Sequence, residues 1–281
     1  MEKHKFLFKV YYIGKSKYYG SQRQHEFLTI EECILNALLE KGYVTNIEDS
    51  GFEAASRTDR YVSARSAFFT CILKKEPILM EINSSLPFEI GVWASTQVPL
   101  NFLSRFNAIQ RHYLYILPTP FSTLQKTTPL NIDIMHEACR QLEGRHDFIN
   151  FSKKDKEAKT TVRDMDYARF SIKQDFLIFQ FKSRAFLRQQ VRRMVAMILG
   201  LGKCEIDYEH FIDLFDPKKT FSYQPADPKG LVLWDIIYGN DIKLKADQKS
   251  EERMKNYFLK EETLFSFKHK LFSILQHDDF S

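Results

Sequence analysis

A few short segments of this 281-residue chain hold side chains that could do chemistry. In GFEAASRTDRYVSA (51–64), Arg57 and Asp59 flank one threonine, placing a guanidinium and a carboxylate close together between a loop and a strand. Such an aspartate can be a nucleophile or a base. It can equally be a turn residue that bonds its own backbone, and spacing alone does not choose. FLRQQVRRMV (186–195) carries Arg188, Arg192 and Arg193. Tyr113 and Tyr115 alternate with Arg111 in FLSRFNAIQRHYLYIL (102–117), where Arg105 adds another cation. His146-Asp147 invites a dyad reading, but no Ser or Cys nucleophile motif accompanies it. The sequence has no Walker loop, no dinucleotide-binding glycine fingerprint and no metal-ligand spacing. No nucleotide cofactor, other cofactor or metal is expected.

These residues need elements to hold them. Residues 5–12 alternate as a strand, and Thr29 caps a helix to about Glu40, with Ile30, Cys33, Ile34, Ala37 and Leu38 on one face. Strands are expected over 62–73 and around 90–98. A long strand is expected over 102–117. Asn131 or Asp133 opens a helix to about Glu143, and strands at 164–172 and 176–183 flank the turn Lys173-Gln174-Asp175. A basic helix is expected over 186–200, a closing strand over 231–238, and a charged helix over 250–267. Strand, helix and paired strands occur twice. This pattern predicts a pseudo-duplicated α+β fold, a mixed or antiparallel sheet with helices gathered on one face. The halves are placed at 1–101 and 102–240, with 241–281 as a charged, helical extension, either a solvated appendage or a partner-binding one, the solvated reading being favoured.

With 41 Lys and Arg against 36 Asp and Glu the net charge is +5, compatible with a polyanionic partner. If the sheet brings Arg184, Arg188, Arg192 and Arg193 of the helix beside Arg105 and Arg111, they line a groove suited to RNA phosphates. Arg184 and Arg188 also fit a solvated helix face. Lys153, Lys154 and Lys156 read as a flexible loop that touches a polyanionic partner at most loosely. The apolar runs are too short and interrupted for a membrane span, and MEKHKFLFKVYY lacks a secretory pattern. The four scattered cysteines read as reduced packing residues, so a cytoplasmic protein is expected.

Taken in order, several fragments resemble TruA-type tRNA pseudouridine synthases. Residues 51–64 are similar to that family's GRTDxGVHA signature, and 102–115 to its FxARxxAxxRxYxY run. LEGRHDFINF (142–151), FLRQQVRRMV and GLVLWDIIY resemble LxGxHDFxxF, FLxxMVRxxV and GLxLxxVxY. Tyr12-x-Gly14 and Gly20-x-Gln22-x-Gln24 match the opening elements. The resemblance spans roughly 5–238 and implies a divergent member that isomerises uridines in tRNA without a cofactor, the anticodon stem-loop being the first target to consider. It implies Asp59 as nucleophile, with Arg192 as the guanidinium favouring its ionised form and Arg193 as the fallback. Tyr113 is implied to stack on the uracil and move the C5 proton, against the reading of a core ring, which Tyr115 fits better. Arg57 fits either a helper in flipping the uridine or a surface arginine on phosphate or water, and Leu231 either a pocket wall or plain core. His146-Asp147 is implied to be structural. The family also implies a homodimer binding tRNA across both subunits. A tRNA-binding protein or RNA chaperone of this fold without turnover is the alternative, because the signature is altered: Ser56 replaces its leading glycine, Arg60-Tyr61 its small pair and Ser63 its histidine. The bulky Arg60-Tyr61 could narrow the pocket or add an RNA contact.

Overall fold

Phe8 and Phe69 stack at 4.9 Å across neighbouring strands, with Phe52 stacked 4.9 Å beyond Phe69. Such cross-strand aromatic pairs are what fasten one strand to the next. In a computed structural model describing residues 3–154 and 159–276, the first half contains β1 (His4–Tyr12), α1 (Ile30–Glu40), β2 (Glu53–Ala54), β3 (Ser63–Leu73), α2 (Leu79–Ser84) and β4 (Ile90–Val98). There follow β5 (Gln110–Ile116), α3 (Phe121–Thr127), α4 (Ile132–Leu142), β6 (Gly144–Asp147), β7 (Val162–Lys173), β8 (Phe176–Ser183), α5 (Gln190–Gly202), α6 (Tyr208–Asp213) and β9 (Leu231–Ile237). The chain closes with β10 (Lys245–Ala246) and α7 (Gln248–Leu275). Lys156 lies outside the described residues.

The strands form one ten-stranded sheet in the order β10-β4-β1-β3-β9-β5-β8-β7-β6, with β2 pairing β3. Every pairing is antiparallel except β3 with β9. The duplication is visible in this order. In each half the first strand (β1 or β5) is flanked by the strand that precedes a helix (β3 or β8) and the one that follows it (β4 or β9). The two triplets meet at β3 and β9.

Caps mark the helices. Thr29 accepts a hydrogen bond from Glu32 N–H, and Asn131 from Ile134 N–H. Two expectations need correction. Residues 102–109 are turns, not strand, because Asn107 Oδ1 takes the Leu103 N–H at 2.8 Å and the Glu53 carboxylate takes the N–H groups of Ser104 and Arg105 at 3.2 and 3.0 Å. Arg105 is therefore on a loop. The basic helix starts at Gln190 rather than 186, because Gln190 Oε1 accepts the Leu187 N–H at 2.7 Å and Gln189 is left-handed (φ 61°). Arg184 and Arg188 are therefore off the helix.

Helices α1, α4 and α5 bury their apolar sides in the main core. Helix α7 does not join them. Its Met254 and Tyr257 close a second core with Tyr11, Trp93 and Ala94. Tyr11 must point to the opposite side of β1 from Val10 and Tyr12, which lie in the main core. Helix α7, in the extension beyond the two halves, thus covers the other side of β1, and its first turns are packed rather than solvated. Arg253 locks them in place, donating to Tyr11 Oη at 2.7 Å and to the carbonyls of Ile90 and Leu86 at 3.1 Å. No described helix is long and apolar enough to cross a membrane. Replacing Arg253 with alanine orphans these acceptors and is expected to lower stability by about 1–3 kcal/mol in urea unfolding. An unchanged midpoint would mean that α7 is not clamped by this residue.

Candidate active site

The loop between β2 and β3 carries Asp59, and it is tied down from several directions. Thr58 N–H donates to Ser21 Oγ at 2.8 Å, Ser21 N–H returns to Thr58 O at 3.0 Å, and the Tyr12 and Thr58 hydroxyls bond at 2.8 Å. The 14–21 segment can come this close because it has glycine where backbones meet. A Cβ on Gly14 would lie 2.3 Å from Tyr61 C, and Gly20 has φ 92° with Thr58 O beneath it. The other side is held by Arg111, whose Nε donates to Ser56 Oγ at 2.8 Å. Its Nη2 reaches the carbonyls of Ala55 and Arg105, each at 2.8 Å, and Nη1 donates to Arg184 O. Arg111 is buried, and burial pulls its pKa below the usual guanidinium value. The expectation that it meets RNA phosphates gives way to a brace, because its donors are already engaged inside the protein.

Arg192 reaches this loop from the first turn of α5. Its Nη1 donates to Asp59 Oδ2 at 2.8 Å and its Nε to Ala226 O at 2.8 Å. The Arg192 side chain is 10% accessible and that of Asp59 37%. The cation forms the floor and the carboxylate faces outward. Arg193, the fallback partner, turns away to Tyr223, with its guanidinium 4.5 Å from that ring and Nη2 donating to Tyr223 O at 3.1 Å.

Tyr113 and Tyr115 share a face of β5, and Tyr115 is the deeper. Tyr113 meets Phe186 edge-on at 5.1 Å. Burial raises its pKa, the Arg111 charge and a hydrogen bond with Ser56 pull it back in part, and the Asp59 charge adds to the rise. Burial pushes Tyr115 up to about 12, with Asp227 and Arg192 both close enough to be felt. Leu231, paired with Tyr115 across β5 and β9, is buried beside it. Arg57, Arg105 and Arg188 are exposed, and Arg105 and Arg184 both lie near Arg111, so part of the predicted basic cluster does assemble. Arg188 meets Lys153 through backbone, by Lys153 N–H to Arg188 O at 2.9 Å. His146 Nε2 pairs with Glu143 O at 2.8 Å and Asp147 Oδ1 accepts the Ile149 N–H at 3.0 Å, so both tie local backbone.

The structural roles of Tyr12, Ser21 and Thr58 are not legible in the sequence; the signal that bears on them is Gly14 and Gly20, which sit where the backbones meet. A family model described as tRNA pseudouridine synthase matches residues 138–239, which include Arg192 and Leu231. A protein of Methanothermobacter thermautotrophicus named tRNA pseudouridine synthase A is 33% identical over 89% of this chain and 86% of its own. The chain belongs to the tRNA pseudouridine synthase family. Proteins of the same name from Archaeoglobus fulgidus (31% identical, 99% of both chains) and Pyrococcus furiosus (34% identical, 83% of both) extend the likeness. Membership in the pseudouridine synthase family makes this an isomerising enzyme. Within its site, Arg111→Lys replaces a five-donor fork with a single ammonium. It is expected to cost about 1–3 kcal/mol in urea unfolding, because loop carbonyls lose their donors. A variant as stable as the parent would show that Arg111 does not brace the loop.

Proposed function

We propose that this enzyme converts uridines of tRNA, those of the anticodon stem-loop first, to pseudouridine with Asp59 as nucleophile. The observation that carries this reading is the Asp59–Arg192 pair, an outward carboxylate on a nearly buried guanidinium contributed from 133 residues away. The isomerisation breaks the N1–C1′ bond, turns the uracil and forms a C5–C1′ bond. The C5 proton leaves and N1 gains one, so electrons balance without a redox partner. The carboxylate forms a transient covalent bond to the nucleotide, and Arg192 stabilises its charge before and after attack.

Tyr113 stacks on the uracil and relays the C5 proton as a neutral phenol. Leu231 walls the pocket, and Arg57 fills the space left by the flipped uridine. Exposed Arg105 and Arg188 hold phosphates, with Arg193 behind them. The halves 1–101 and 102–240 supply the nucleophile and its partners respectively, and meet beside the β3–β9 seam. The enzyme works in the cytoplasm without cofactor or metal, as a homodimer that spans its tRNA.

Incubation with tRNA tritiated at uridine C5 tests the reading. The parent is expected to release tritium, and Asp59→Ala to release at least about a thousandfold less, as loss of a covalent nucleophile does. Undiminished release by the variant removes Asp59 from the mechanism, while a silent parent that binds tRNA would point to a binding protein of the same fold. The raised pKa of Tyr113 gives a second test. A phenol whose pKa is raised keeps its proton to higher pH, so the rate should stay level from about pH 8 to 10, the ordinary tyrosine range. A tenfold rise per pH unit there would instead make the phenolate the working base.

A further inference from the structure

Beside Asp59 the chain departs from its family's pattern at Tyr61, and the backbone there is left-handed, with φ 70°. That conformation suits glycine and crowds the Cβ of any other residue, so a tyrosine persists there only if the surroundings hold it. They do hold it. The Arg60 guanidinium lies 4.9 Å from the Tyr61 ring centroid and 3.9 Å from that of Tyr19. Arg60 Nη2 also donates to Ser16 O at 2.7 Å, and Tyr19 stacks on Phe27 at 4.2 Å. The Tyr61 ring is therefore backed by a column of flat groups. On the exposed turn just before Leu231, Lys229 Nζ lies 5.6 Å from the same centroid. Tyr61 itself is half-buried, two residues from a carboxylate that is open to solvent.

A half-open aromatic ring with an ammonium 5.6 Å from its centre matches a nucleotide, which has a flat base to stack and a phosphate to pair. We propose that Tyr61 is a further substrate-contacting residue, stacking on the nucleotide next to the flipped uridine while Lys229 pairs with that nucleotide's phosphate. This rests on the uridine-isomerising reading of the same site. Tyr61 takes no part in bond breaking. It sets which neighbouring nucleotide the site accepts, and it gives a reason for strained backbone to persist where glycine would fit without cost.

The test compares Tyr61→Gly, Tyr61→Phe and Lys229→Gln with the parent in tRNA affinity, KM for tritium release and melting temperature. Tyr61→Gly is expected to melt no lower than the parent, since it removes the left-handed strain, yet to weaken tRNA binding and raise KM about tenfold, the scale of one lost base stack. Tyr61→Phe should stay within about twofold, since the ring is kept. Lys229→Gln should weaken binding and reduce the salt slope by about one phosphate contact. Unchanged affinity and KM in Tyr61→Gly would overturn the inference, as would a lowered melting temperature with affinity intact, which marks a purely structural ring. A phenylalanine variant as weak as the glycine one would also overturn it by moving the contact to the hydroxyl. Should the parent release no tritium while Tyr61→Gly still weakens binding, the isomerase reading falls and the stacking contact stands.

Discussion

The site depends on a cation being buried so that an anion need not be. Arg192 is nearly enclosed and would be costly to bury alone; the Asp59 carboxylate and the Ala226 carbonyl satisfy it. The pair is asymmetric. A carboxylate shielded on both sides could not reach a nucleotide, and one exposed on both would drift among conformers. Here one oxygen is anchored and the group still faces outward.

Holding that oxygen in place falls to side chains that reach the loop from elsewhere in the fold, with one backbone bond among them. The Asp59 loop is pinned by reciprocal bonds with Ser21, by the Tyr12 hydroxyl and by the Arg111 fork. Each of these comes from a different part of the sheet or its loops: β1, the segment after it, and β5. Arg192 comes from α5, and Ala226 N–H bonds back to Arg192 O at 3.0 Å, fixing the segment that leads into β9. A carboxylate supported by β1 and partners supported by β5 and α5 can meet only where the two strand triplets join. The parallel contact of β3 with β9, short as it is, sets that geometry.

Local signals were legible where local physics decides. Thr29 and Asn131 announced their helices because capping uses neighbours in sequence. The alternation over 102–117 misled because turns built on Asn107 and Glu53 produce it as readily as a strand, and Glu53 is about fifty residues away. The start of α5 was misplaced because the Gln190 side chain, a good helix former, spends itself on Leu187 N–H. Helix α7 read as solvated because its charged residues outnumber the few that touch Tyr11 and Trp93. Of the site, the partners of Asp59 could be named only through resemblance, since no spacing rule links residues 59 and 192. The bracing of Arg111 was hidden for the same reason: in sequence it looks like any cation on a basic strand.

The altered signature loop raised the question of whether the site survives its substitutions, and the contacts answer at the level of structure. Ser56, in the place of a glycine, supplies the hydroxyl that accepts from Arg111 Nε. Ser63, in the place of a histidine, accepts the Gly14 N–H at 3.1 Å and so fastens the loop to the segment after β1. Arg60 bonds to Ser16 O and packs on Tyr19. Three of the four departures thus add a contact that holds the loop. Tyr61 alone adds strain. A lone strained residue among compensated ones is where a protein keeps what stability would discard, and this one stands two residues from an outward carboxylate.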